Sequence, residues 1–296
     1  MFLPVEPSAA AANGGGFVIS RSPTARRPAR RPLDRPGGGR KGCIVSRPIN
    51  LLRAISEKRA NLHDGLRRTY RRDGSGAAIR FAVRWGVEGA MRPANNVRHR
   101  RFDRRLGIET TGRTGVTAAM RSAAAHADGT RYEAMAPHQF RRILRRLPLG
   151  SPADFAFVDL GSGKGLPLLL AAEHGFGEVV GVELNRDLIE MSRRNVRSFE
   201  ARRPEQAGVI AVHHDDAAKF TLPSRATVLF LFNPFGAATL RVVVDNVERS
   251  LKESPRRFFV IYGNPLHREV LDERPMLRRL SATTRWALYD TAPARP

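Results

Sequence analysis

One segment constrains the fold more than any other: Phe157-Val-Asp-Leu-Gly-Ser-Gly-Lys-Gly165, with an acid, Glu183, eighteen residues beyond its last glycine. An apolar run ends on Asp159, enters a glycine loop, and resumes as an apolar segment opened by Leu166-Pro167. That order is strand, tight turn, helix. Glycine takes positive φ and lets the backbone approach a ligand closely. The helix that follows has unpaired amides in its first turn. The next apolar run, Val179-Val-Gly-Val-Glu183, closes on a carboxylate. At the end of a second parallel strand such a group holds ribose hydroxyls. The two strand ends suit an adenosine-type ligand.

Spacing narrows the choice. The dinucleotide fingerprint is G-x-G-x-x-G with no acid before it. Here the pattern is Asp159-x-Gly161-x-Gly163-x-Gly165, so the third glycine comes one residue early and an anion sits at the loop mouth. That anion repels a pyrophosphate and favours a cationic amino group. The Walker loop is absent as well, because Lys164 is not followed by Ser or Thr. S-adenosylmethionine carries an ammonium and a sulfonium and no phosphate. At these residues the chain resembles the class I S-adenosylmethionine-dependent methyltransferases. The competing readings are a nucleotide oxidoreductase and an ordinary βα turn with no ligand.

The resemblance implies that Asp159, Gly161, Ser162, Gly163 and Gly165 face the methionine part of the cofactor and Glu183 the ribose, with Leu184 also in the cofactor site. After the third strand comes His214-Asp-Asp-Ala217. In this class a carboxylate here commonly accepts from the adenine amino group, and the acid-Ala pattern selects Asp216 with Ala217 over Asp215. The plainer reading is a helix N-cap before Ala217-Ala218, and both roles can coexist. His213 and His214 suggest metal, but no second ligand cluster is visible in the sequence, and no metal is expected.

The closer resemblance is to a bacterial group in the class with a Tyr-Glu/Gln-Pro-Thr-Pro segment before the domain. Here that segment reads Arg131-Tyr-Glu-Ala-Met-Ala-Pro137, with Ala134 and Ala136 in place of two prolines. Phe102-Asp-Arg-Arg-Leu-Gly-Ile-Glu109, Val158–Gly165, Gly181-Val-Glu183 and Phe232-Asn-Pro-Phe235 also look like that group. Tyr132 is placed like the tyrosine that precedes the domain in small protein-lysine methyltransferases, where the segment covers the cofactor. Amino-directed methyltransferases often carry Asn/Asp-Pro-Pro-Tyr/Phe after the fourth strand. Phe232-Asn-Pro-Phe-Gly236 has one proline of the two, so the match is partial. The resemblance implies methyl transfer to an unidentified acceptor. Asn233 and Tyr132 are the candidates for positioning it and Phe235 for walling its pocket. A protein amine is the first expectation, with small molecules and RNA behind it. A degenerate fold that binds RNA or another polyanion is the rival. A Pro-turn leaving a strand is the plainer reading of Asn233.

Charge is unevenly placed. Of the 51 Lys and Arg and 28 Asp and Glu, residues 1–150 hold 31 and 10, and residues 151–296 hold 20 and 18. The excess reads as a surface for a polyanion or acidic partner. Arg outnumbers Lys 46 to 5, so a compositional bias explains part of it. Residues 1–46, rich in Ala, Gly, Pro and Arg, cannot bury enough apolar surface to offset ordering entropy and read as a disordered basic tail. Residues 47–130 read as a helical and loop extension. Leu51, Leu52, Ile55, Leu62, Ile79, Phe81, Val83 and Trp85 give one or two Arg-studded helices within 48–92, and Gly107–Gly129 a loop.

Residues 131–296 read as the catalytic domain: α/β, with a doubly wound, mostly parallel, Rossmann-like sheet. A helix opened by Pro137 carries Phe140, Ile143, Leu144 and Leu147 on one stripe. Strands are expected at 155–160, 179–184, 209–213, 227–232 and 257–262. Helices are expected at 166–174, from Asn185, at 237–251 and near 266–271, and two short strands within 277–290. No run approaches eighteen apolar residues, so no membrane span is expected. The single cysteine, Cys43, fits a reducing, cytoplasmic setting.

Overall fold

The computed structural model describes residues 62–111, 113–114, 132–133 and 135–291. The chain divides into two units, Met1–Ala54 and Ile55–Pro296, and every described residue falls in the second. The tail reading for 1–46, the helical positions Leu51, Leu52 and Ile55, and most of the 107–129 loop lie outside the described residues.

Seven strands form one sheet. They are β3 (Ala156–Leu160), β4 (Glu178–Glu183), β5 (Ile210–His214), β6 (Thr227–Leu231), β7 (Phe258–Gly263), β8 (Leu277–Ala282) and β9 (Trp286–Thr291). Their order is β5-β4-β3-β6-β7-β9-β8. The first five in this order are parallel. β9 runs antiparallel to β7, and β8 to β9. The strand order reverses direction at β3, and crevices for ligands open at such a point beyond the strands' C-terminal ends.

The central strands are covered on both faces, which is why they read as unbroken apolar runs. Phe157, Val179, Val228, Phe230 and Ile261 enter one core, under α3 (Pro137–Leu144), α4 (Leu166–His174) and α5 (Arg186–Glu200). Val158, Val180, Leu229, Leu231 and Val260 enter the other, under α6 (Ala237–Glu253) and α7 (Glu269–Asp272). Helix α4 is apolar nearly all round and is accordingly buried from Leu168 to Ala172. Helix α5 buries one side, Leu188, Ile189, Ser192, Asn195, Val196 and Phe199. The stripe continues past the end of α3, where Leu147 lies buried in the following turn rather than in the helix.

Ahead of the sheet, residues 62–73 form helix α1, and α2 (Ser75–Leu106) runs for 32 residues. The two pack closely: a Cβ on Gly65 would lie 2.3 Å from the Phe81 ring. The extension helix is thus longer than its pattern suggested, continuing through Pro93 into the Phe102–Leu106 segment and stopping at Gly107, φ 62°. Arg268, 7% exposed, pairs with Asp73 at the end of α1 and with Asp272, each at 2.9 Å. Leu106 and Ile108 join the first core, with Phe102 packed against it. Two two-residue strands, β1 (Arg113–Thr114) and β2 (Tyr132–Glu133), pair antiparallel. No described helix is long and apolar enough to cross a membrane.

Candidate active site at the C-terminal edge of the sheet

The glycine loop closes back on the neighbouring strand. Gly161 N and Ser162 N both donate to Val182 O, at 2.8 and 3.0 Å, and Gly165 N donates to Ser162 O at 2.9 Å. Two glycines are required by both conformation and space. Gly161 has φ 86°, and a Cβ there would lie 2.5 Å from Pro234 Cβ. Gly165 has φ 82°, and a Cβ would lie 2.4 Å from Ser192 Oγ. The first contact places the glycine loop against the turn that follows β6.

Beneath the loop lies Asp159, 1% exposed. Burial, with the charge of Glu183 added to it, holds its carboxyl well above the usual carboxylate range. Four buried side-chain polar atoms lack a hydrogen-bond partner among the described residues. Three of them, Asp159 Oδ2, Ser162 Oγ and Ser192 Oγ, surround this loop. Buried polar groups in folded proteins are nearly always paired, so these three atoms are ones that water or a ligand would satisfy.

Glu183 ends β4 with its carboxylate folded onto the loop. Oε2 accepts from Gly163 N at 2.8 Å, and Oε1 from Leu184 N and Asn185 N at 3.0 and 2.9 Å. Asn185 then caps α5, its Oδ1 accepting from Asp187 N and Leu188 N. Leu184 is half-buried, and its carbonyl lies 3.0 Å from His214 Nε2. Asp216 Oδ1 accepts from Ala218 N at 2.9 Å, and Asp215 Oδ1 from Asp216 N at 2.7 Å. The N-cap reading of Asp216 corresponds to a turn over 217–219, and no helix follows it before β6. Ala217 is half-buried beside the second core. His213 packs its ring on Phe220 at 5.7 Å. Among the described residues no group of three or more His, Cys, Asp or Glu is placed to hold a metal ion.

Asn233 follows β6 with φ 48°, an uncommon conformation for a side-chain-bearing residue that concentrates at functional sites. Its Oδ1 accepts from Tyr262 OH at 3.1 Å, and that hydroxyl accepts from His267 N at 3.4 Å. Tyr262 is fully buried, and burial raises its pKa far above the usual tyrosine value. Phe235 is 8% exposed and sits in the second core. Phe232 is half-buried and faces the end of β7, where a Cβ on Gly263 would meet it and Met135. The backbone of Tyr132 lies in β2, and its side chain is outside the described residues.

The structure therefore gathers Asp159, the glycines, Ser162, Glu183 and Leu184 at the C-terminal ends of β3 and β4, with Asn233 joined to them through the approach of Gly161 to Pro234. Sequence reasoning missed Tyr262, which orients Asn233, and Ser192. It also missed a buried polar group, Asp103, Thr110 and Asn195, that reaches the loop through Lys164. The signal for the last was present as an acid followed by Gly107 and the Thr110-Thr111 pair.

No protein-family model matches the chain, and no curated protein matches it. Solved structures resemble it at low identity. A predicted N6-adenine-specific DNA methylase from Listeria monocytogenes is 14% identical over 58% of this chain and 52% of its own, with TM-score 0.42. This chain thus spans about half the length of that protein. Magnesium protoporphyrin IX methyltransferase from Synechocystis PCC 6803, with bound S-adenosylmethionine, is 11% identical over 53% and 79%, TM-score 0.39. An RNA methyltransferase from Salinibacter ruber, in complex with S-adenosylhomocysteine, is 20% identical over 56% and 96%, TM-score 0.38.

Proposed function

We propose that this chain binds S-adenosylmethionine at the C-terminal edge of its sheet and directs the methyl group to an acceptor amine, a protein amine first among the candidates. The observation that carries the reading is the unpartnered, buried Oδ2 of Asp159 beneath a loop of left-handed glycines, one strand from Glu183. A cationic donor there would restore the charged form that burial disfavours, and the ammonium of this cofactor supplies one. A dinucleotide would bring a pyrophosphate against two acids. The amides now on Glu183 share its oxygens with a ribose diol when the cofactor binds, and Leu184, Asp216 and Ala217 line the adenine end.

When bound, the cofactor supplies a methyl group already activated on sulfonium. The chain's own task is to place the acceptor in line and to exclude water. Asn233, fixed in its left-handed turn by Pro234 and by Tyr262, is the residue we assign to that placement, with Tyr132 closing over the site. The test is calorimetry with S-adenosylmethionine and NAD, followed by radiolabelled methyl transfer into cell extract sorted into protein, RNA and small molecules. Tighter binding of NAD overturns the cofactor. Label confined to RNA or small molecules overturns the protein acceptor.

One observation favours a second, compatible reading, contact with RNA through the basic N-terminal half. Residues 62–106 hold twelve arginines against four acids, and Asp73 and Asp103 are engaged within the protein. At about 100° per residue, exposed Arg80, Arg84, Arg98, Arg101 and Arg105 share one side of α2 with exposed Ile79 and Val83. Replacing Arg98, Arg101 and Arg105 by Ala should lower both RNA affinity and its salt dependence. RNA binding unchanged by the triple substitution refutes this contact.

A further inference from the structure

The residues ahead of β1 are more than an appendage to the crevice. Helix α2 ends at Gly107, and the chain doubles back so that Asp103, 5% exposed, faces its own downstream segment. Its Oδ2 accepts from Thr110 N, Thr111 N and Thr111 Oγ1 at 2.9, 2.8 and 2.7 Å. Its Oδ1 accepts from Thr110 Oγ1 at 2.6 Å. That contact commits the threonine's only hydroxyl proton. His99 Nε2, 2.8 Å from the same oxygen, is therefore the donor, and burial, partly countered by Asp103, keeps the ring's pKa low. A carboxylate with this many donors holds residues 108–111 in one conformation.

That conformation is then joined to the glycine loop. Lys164, the one cation in the loop, is 4% exposed. Its Nζ donates to Thr111 O at 3.2 Å and lies 3.7 Å from Glu109 Oε1. On the other side Asn195 of α5 brackets Glu109, its Oδ1 accepting from Glu109 N at 2.8 Å and its Nδ2 donating to Glu109 O at 3.1 Å. The same Nδ2 donates to Lys164 O at 2.9 Å. Burying an ammonium is costly without partners, so the contacts from 108–111 help to hold the loop in its shape.

We infer that residues 99–111 are a clamp on the glycine loop, and that Asp103 and Lys164 are positioning residues for the amino-acid end of the cofactor. The inference rests on the cofactor reading given above. The clamp meets the loop at Lys164, between Gly163 and Gly165 in the segment assigned to the amino-acid end of the cofactor, and Gly163 N in turn touches the ribose acid Glu183. It therefore bears more on ligands that carry the methionine moiety than on the nucleoside alone.

Two probes separate these ends: S-adenosylhomocysteine, which has the amino-acid group, and 5′-methylthioadenosine, which lacks it. Both are titrated into the full-length chain and its Lys164→Met and Asp103→Asn variants, with the fold checked by circular dichroism. The expected result for Lys164→Met is a loss of about tenfold or more for S-adenosylhomocysteine, with 5′-methylthioadenosine held within about twofold. A parallel loss for both probes indicates general packing and overturns the positioning role. So does an unchanged affinity for both. Should Asp103→Asn unfold, Lys164→Met alone carries the test. Wild-type protein that binds neither probe refutes the cofactor reading itself, an outcome distinct from wild type that binds and a variant that does not discriminate.

Discussion

Asp159→Asn should stabilise the unliganded protein and weaken its hold on the cofactor. The wild-type carboxyl is 1% exposed, has an oxygen with no partner and stands near the Glu183 charge. An unsatisfied buried polar group costs about 1–3 kcal/mol, and more when charged. Asparagine keeps the shape, removes the charge and leaves an amide to be satisfied, so a net gain of about 1–2 kcal/mol is expected. For a domain of this size each kcal/mol is roughly 2–4 °C in melting temperature, so the rise should be about 2–8 °C. Losing a charge-assisted hydrogen bond to the cofactor ammonium costs about 1.5–3 kcal/mol, or roughly 10- to 100-fold in affinity. The pH dependence is diagnostic. The folded pKa is raised above the ordinary 3.8, so below 3.8 the carboxyl is protonated folded or unfolded and carries no ionisation penalty. The penalty grows as pH rises from 3.8 and is complete above the raised folded value. The melting-temperature gap between variant and wild type should therefore widen with pH, as read by calorimetric scans from pH 4 to 8. A destabilised variant, or a gap constant across pH, would refute the assignment of Asp159 as a strained anion awaiting a cation.

Glu183→Ala should lower S-adenosylmethionine affinity about tenfold or more without unfolding the domain, and unchanged affinity by calorimetry would remove Glu183 from the site. Asn185→Ala removes the acceptor for Asp187 N and Leu188 N, so chemical denaturation should show a loss of about 0.5–2 kcal/mol. Asn233→Ala, once an acceptor is in hand, should reduce turnover at saturating S-adenosylmethionine by up to about a hundredfold with little change in cofactor affinity. Wild-type turnover in the folded variant would leave Asn233 as a turn residue only.

The parallel half of the sheet was legible in the sequence to within a residue at each strand; the four inner parallel strands, buried on both faces, read as apolar runs, while the half-exposed edge strand β5 is shorter in apolar residues and ends on His213-His214. Helix α4 has the expected bounds, Leu166–His174, set by Gly165 and Gly175 in left-handed conformations. What escaped was structure with no period to it. Helix α2 carries Gly86, Gly89 and Pro93 and scatters its apolar residues around the axis, so its length of 32 residues left no stripe. Asp103 stood in the sequence only as part of the Phe102–Glu109 resemblance, since nothing local shows that its four acceptor contacts come from residues seven and eight positions on. Tyr262 was read as the end of an apolar strand, and only the fold brings its hydroxyl to Asn233. At Asp216 an acid before Ala-Ala fits both an adenine contact and a helix N-cap, and the chain there forms only a turn.

The close approach of Gly161 and Pro234 has a consequence for the proposed transfer. The loop assigned to the cofactor and the turn assigned to the acceptor share a surface with no room for a methyl group between them. Substitutions on the two sides should therefore be epistatic: a change at Pro234 chosen to admit a new acceptor also shifts the backbone that holds the methyl donor. Double-mutant cycles between neighbouring sites of this kind commonly show couplings of about 0.5–3 kcal/mol. Retargeting would then proceed fastest by varying positions 161–163 and 233–235 together, in one library, rather than by optimising either loop against a fixed partner.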